Sequence, residues 1–176
     1  MSNPQEFKSA VKSDEVFRTY RRVFNTVQET LDIPKLTKEA VFLHANRKAR
    51  KLYEHKASAM KVSDVLLQEM SHRSRLVELK IGVIANQELL ESTISRTKKH
   101  LTTEFESELK GMSTTVSGRS AVLASIFAAA QDYLNQVAAL NTQLDVLIKD
   151  VDAAGFTLTN VRELLKLQAG GKGEVI

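Results

Sequence analysis

Glu69-Met70-Ser71-His72 has the spacing of a metal-ligand pair. On a helix, Glu-x-x-His sets a carboxylate and an imidazole one turn apart, as in carboxylate-bridged di-iron bundles. Such a centre needs two of these motifs and two further inward carboxylates, and this sequence supplies one motif. His44, His55 and His100 show no ligand spacing, and nothing marks a Ser-His-Asp arrangement. Gly170-Gly171-Lys172-Gly173 lacks the preceding strand and the glycine spacing of a phosphate loop. With no cysteine there is no thiolate metal site, no Cys nucleophile and no disulfide framework. The residues therefore read as a non-enzymatic protein, with no catalytic residue, metal or cofactor expected.

The chemistry that remains is charge. The 176 residues carry a net charge of +4, unevenly spread. Residues 35–80 hold eleven Lys and Arg against five acids, whereas the flanking segments 1–34 and 81–120 each balance at five against five. From Ala121 onward four basic residues face six acidic ones. On a helix running from about Lys38 to Asn86, at ~100° per residue, Val41, Ala45, Leu52, Ala59, Leu66, Met70 and Val77 share one side. Arg47, Arg50, Lys51, Lys61, His72 and Arg75 lie nearly opposite. An ordinary solvated face mixes signs through i,i+4 pairs; a predominantly cationic one suits phosphates. Tyr53 beside it offers a base a stacking surface. Val65, Leu76 and Leu79, on or near the same face, imply that a neighbouring helix or subunit covers its lower end.

The elements that position these residues are expected to be helices throughout. Gly and Pro are scarce and the apolar residues recur at three- and four-residue steps. A first helix carries Val16, Tyr20, Val23, Val27 and Leu31 on one face and should stop near Asp32-Ile33-Pro34, after which Thr37 can cap the next. Leu90, Ile94, Leu101, Phe105, Leu109 and Met112 continue the pattern to a break at residues 111–118. From Leu123 the apolar positions Leu123, Ile126, Ala130, Tyr133, Val137, Leu140, Leu144, Leu147 and Val151 alternate three and four apart, an a/d heptad seam. Phe127, Leu134 and Ile148 widen it toward a bundle or a ring. The seam reads either as packing inside the chain's own bundle or as a self-association surface. This helix should end at Gly155 as a left-handed cap, with a short last helix beginning at Asn160 and Glu163. The expected architecture is all-α: elongated helical hairpins or a bundle, with the C-terminal heptad helix mediating homo-oligomerisation. It divides into an N-terminal region 1–116 carrying the basic helix, an oligomerisation region 117–168 and a disordered tail 169–176.

Two windows resemble the UvsY family, the recombination mediators of T-even-type bacteriophages. In the first, Asp32-Ile33-Pro34-Lys35-Leu36-Thr37-Lys38-Glu39-Ala40 is followed in register by Arg73-Ser74-Arg75-Leu76, similar to the family's short basic motif. The second comprises Leu144-Asp145, Ile148-Lys149, Gly155-Phe156, Leu158, Val161, Glu163, Leu164 and Gly171-Lys172. The chain departs from the family by extra residues before Asp32 and between Arg75 and the heptad helix. The resemblance implies an oligomeric protein, ring-like in the heptad reading, that binds single-stranded DNA. It would displace the single-strand-binding protein and help load the phage recombinase, in the cytoplasm of the infected bacterial host. It carries strand binding onto Arg73 and Arg75, and assembly onto Leu123–Leu165. On a regular helix Arg73 and Arg75 point ~200° apart, so one flat surface cannot take both. The rival expectation is a structural or adaptor coiled-coil protein with no nucleic-acid role, for which the basic face serves solubility. No apolar run reaches the length of a membrane span, and the N-terminus lacks the pattern of a signal peptide.

Overall fold

The structure, a computed structural model, describes residues 4–49, 52 and 58–170. Among these the fold is all-α: α1 (Pro4–Ser13), α2 (Glu15–Thr30), α3 (Ile33–Ala45), α4 (Ala59–Glu104), α5 (Glu106–Met112), α6 (Val116–Ile126) and α7 (Ala128–Gly170). They form two compact units that cut across the division at residue 116. The first is Met1–Ile33 with Val83–Ala139, and the second is Pro34–Gly82 with Leu140–Ile176.

In the first unit the chain breaks at Asp14, where the expected single N-terminal helix becomes two. The Asp14 carboxylate accepts the Phe17 backbone N–H at 2.8 Å and so caps α2. Phe17, Tyr20 and Val27 then bury one face of α2. Phe127 is the centre they close on, its ring 4.9 Å from Tyr20 and 6.1 Å from Phe17, with the Lys98 ammonium 5.5 Å from its centroid. Phe127 also interrupts the heptad helix: its N–H bonds three residues back to Ala124, and the chain restarts as α7. The Tyr133 hydroxyl donates to the Leu31 carbonyl at 2.7 Å, satisfying a group left over where α2 ends. The expected break before α6 is present. Thr115 caps α6 by accepting the Gly118 N–H at 3.1 Å, and a Cβ at position 118 would collide with the Ser113 side chain and force it to move.

In the second unit α3 begins at Ile33 rather than after Thr37. Pro34 sits in the first helical turn, where its missing N–H costs nothing. The expected continuous helix 38–86 does not form. Instead α3 ends at Ala45, Lys48 and Ala49 make a 3₁₀ turn, and α4 starts at Ala59. Gly155 does not cap a helix, and Asn160 does not start one. The α7 helix runs through both, with no positive φ among the described residues. Ala154, Leu158, Val161 and Leu165 pack on Ala49, Val62 and Val65, with Leu52 and Leu66 beside them. That shared burial outweighs the ~1 kcal/mol that glycine costs a helix interior.

The heptad seam is used inside the chain. Leu123, Tyr133, Val137, Leu140, Leu144 and Val151 are buried, and Ile126 and Leu147 half-buried, within a single copy. The same spacing that suggested an oligomer interface is here the stripe that holds each unit together. As a surface for self-association, six of these eight residues are already covered and Ile126 and Leu147 are partly so.

Candidate nucleic-acid interface

The residues nominated for phosphate contact meet three different fates. Arg47 is not on an outer face: because the helix breaks after Ala45, the chain turns it inward, and it is 2% exposed. Its Nε donates to Glu69 Oε2 and its Nη1 to Asp150 Oδ2, each at 2.6 Å. Glu69, equally buried, also accepts the Ala49 backbone N–H at 3.4 Å. Asp150 is shared further with His44 Nε2 at 2.6 Å, and its hydrogen bond to His44 and the charge of Arg47 hold its carboxyl below the usual range. Arg47 is therefore a pin that joins α3, α4 and α7 within the second unit.

Arg50 and Lys51, together with Tyr53, lie outside the described residues. Lys61 is exposed at the start of α4 and has no carboxylate partner among the described residues.

Arg73 and Arg75 remain accessible, each with 48% of its side chain exposed. Leu76 beside them is fully buried and anchors the motif. The two guanidiniums leave α4 in different directions, as their ~200° separation requires. Arg73 Nε meets Asp152 Oδ1 of α7 at 2.5 Å. Arg75 takes Glu39 of α3 at 2.7 Å and Glu78, one turn on, at 3.2 Å. Hydrogen bonds to these carboxylates hold the protons of both arginines more firmly than usual. Farther along, the Lys80 ammonium lies 2.5 Å from Asp145.

The pattern that sequence reading missed is the acidic set on α7. Asp145, Asp150 and Asp152 face Lys80, Arg47 and Arg73 in turn. The opposite charge surpluses of residues 35–80 and of the C-terminal segment were the available signal. They mark internal pairing.

The metal reading loses its carboxylate, since Glu69 is engaged by Arg47. His72 does not stand on an outer face: it is half-buried, with a buried Nδ1 that has no hydrogen-bond partner. Among the described residues no group of three or more His, Asp or Glu side chains is placed to hold a metal ion, and no helix is long and apolar enough to cross a membrane. No protein-family model, curated protein or solved structure matches the chain.

Proposed function

We propose that this protein is a non-catalytic recombination mediator, which binds single-stranded DNA without sequence preference in an infected bacterial host. It displaces single-strand-binding protein and helps load a recombinase. The observation that carries the reading is the state of Arg73-Ser74-Arg75-Leu76: a buried leucine fixes the turn, and two half-exposed guanidiniums flank it. The resemblance of this motif and its neighbouring windows to the phage mediators points the same way. Surface carboxylate partners contribute little each, so a phosphate can take their place in a charge-assisted, bidentate contact with arginine. With so few cations per copy, affinity depends on several copies gripping one strand, through effective concentration.

Labelled-oligonucleotide anisotropy at two salt concentrations tests the proposal. Binding should be indifferent to sequence and fall with salt. Arg73→Ala/Arg75→Ala should weaken it and flatten the log–log salt slope by about 0.7 per lost phosphate contact. Unchanged affinity in that variant removes the motif from the interface.

The adaptor reading draws on a specific observation of its own. Arg47, Arg73, Arg75 and Lys80 all have carboxylate partners within the chain, while apolar side chains on the same unit do not find cover. Absence of salt-sensitive strand binding by the intact protein favours that alternative.

A further inference from the structure

The outer side of α4 in the second unit carries a second heptad stripe whose large members the described residues leave mostly uncovered, with Ser63 and Val77 half-buried at its border. Met60, Leu67, Ser74 and Ile81 recur every seven residues, with Ser63, Met70 and Val77 at the intervening d positions. The four large apolar members are 76%, 67%, 63% and 62% exposed in the order Met60, Leu67, Met70, Ile81. This is the opposite face from Val62, Val65, Glu69, Leu76 and Leu79, which are buried. Scattered exposed apolar residues need no explanation, but a periodic row of them along one helix face does.

We infer that this stripe is the surface by which two copies of the chain associate, helix against helix and in parallel. Charge selects a second copy of the same chain and sets its direction. With Met60, Leu67, Ser74 and Ile81 at a, the g edge carries Arg73 and Lys80, and the e edge carries Asp64 and Glu78. Parallel pairing brings g of one helix to the following e of the other, so Arg73 meets Glu78 of the second copy, and by symmetry the reverse. Antiparallel pairing sets g against g and e against e, which opposes like charges along both edges. The intrachain contacts of Arg73 with Asp152 and of Glu78 with Arg75 involve exposed groups. They extend into a network across such an interface without being lost. Ser63 and Ser74 reduce apolar contact in the stripe, which suits a pair that also exists apart.

The inference deepens only the multi-copy part of the proposed function and holds with no DNA present, so the two fail separately. The chain's freedom from cysteine makes a single engineered thiol unambiguous. Ser74→Cys and Ile81→Cys each place thiols at an a position, where parallel in-register helices bring the two copies face to face. Mild oxidation of either variant should convert the protein to covalent dimer. Ser107→Cys, on α5 in the first unit, should associate like the parent but form no covalent dimer. In sedimentation velocity, Leu67→Asp/Met70→Asp should dissociate at least ~100-fold more readily than the parent. Because both side chains are exposed, the variant should keep its helix content by circular dichroism. A parent that is monomeric at tens of micromolar, or a dimer in which neither thiol variant cross-links better than Ser107→Cys, overturns the inference. So does a folded Leu67→Asp/Met70→Asp variant that associates like the parent.

Discussion

The first unit closes around rings. Phe7 packs edge-on to Phe105, and Phe17, Tyr20, Phe24, Phe127 and Tyr133 form one connected set of contacts. Its large apolar side chains are nearly all consumed in that closure: only Leu89 and Val116 stand exposed, among the described residues. Among the described residues the second unit has no such cluster. Small aliphatic contacts around Val62 and Leu158 are supplemented by a buried arginine–glutamate pair, and Val41, Phe42, Met60, Leu67, Met70, Ile81, Val146, Phe156, Leu164 and Leu167 are left facing outward. Similar helices, drawn from the same α4 and α7, thus give one unit that is apolar within and one that wears much of its apolar surface outside. That uncovered apolar surface is why the association proposed for α4 is placed on the second unit and not on the first.

Breaking the charged pin of the second unit should cost the most stability. Arg47→Met leaves Glu69 buried without its cation and should destabilise the protein by roughly 3–5 kcal/mol in urea unfolding. Adding Glu69→Leu removes the stranded charge and should recover most of that loss. A single variant as stable as the double one would show that the pair is not what holds α3 to α4 and α7.

A smaller effect probes the aromatic unit. Tyr20 is almost fully buried, and burial, only partly opposed by the charge of Arg21, pushes its hydroxyl up to about 12. The neutral phenol is the form the fold prefers. Its contribution is complete below pH ~10, the unfolded value, and is lost as the pH rises from there through about 12. Across that window the protein should lose up to roughly 3 kcal/mol through this one group. Tyr20→Phe keeps the ring contacts and removes the ionisation. It should therefore lose less stability than the parent between pH 8 and pH 11.5, by chemical denaturation at each pH. Parallel losses in the two proteins would show that Tyr20 ionises without unfolding anything.

Periodicity made the helical class and most of the buried positions legible, because three-and-four spacing is local and survives in the sequence. It did not name the surface that covers a stripe. Leu140 and Leu144 satisfy a heptad whether the partner is another copy or the chain itself, and here it is the chain. The helix break after Ala45 was illegible because residues 46–58 contain neither Gly nor Pro. Arg47 turns inward there to reach Glu69, 22 residues on, and Asp150, 103 residues on, and no local rule encodes such distant partners. Gly155 misled in the other direction. A lone glycine near a run of alanines reads as a cap, yet Leu158, Val161 and Leu165 continue the α7 stripe past it into a shared core. The stripe at Met60, Leu67 and Met70 was hidden by assigning Met70 to the inner face. That followed from extending one helical register back across a break that the fold contains.

The smallest effect belongs to a signal that was present in the sequence. Asp14 precedes an apolar-periodic run, the ordinary place for an N-cap, and it holds both the Phe17 N–H and, at 3.0 Å, His100 of α4. Burial raises its carboxyl, but the His100 hydrogen bond and the Phe17 amide outweigh that and leave it below the usual value. A depressed carboxyl contributes above its unfolded value of ~3.9 and loses that contribution as the pH falls through the lower folded one. Asp14→Ala should therefore cost about 1 kcal/mol at pH 7, and the gap from the parent should narrow below pH ~4. Asp14→Asn separates the two partners, since an asparagine caps nearly as well but brings no charge to His100. Near-parental stability of Asp14→Asn at pH 7 assigns the effect to the helix start. A loss equal to that of Asp14→Ala assigns it instead to the α4 contact, and the aromatic unit would then lean on charge as the other unit does.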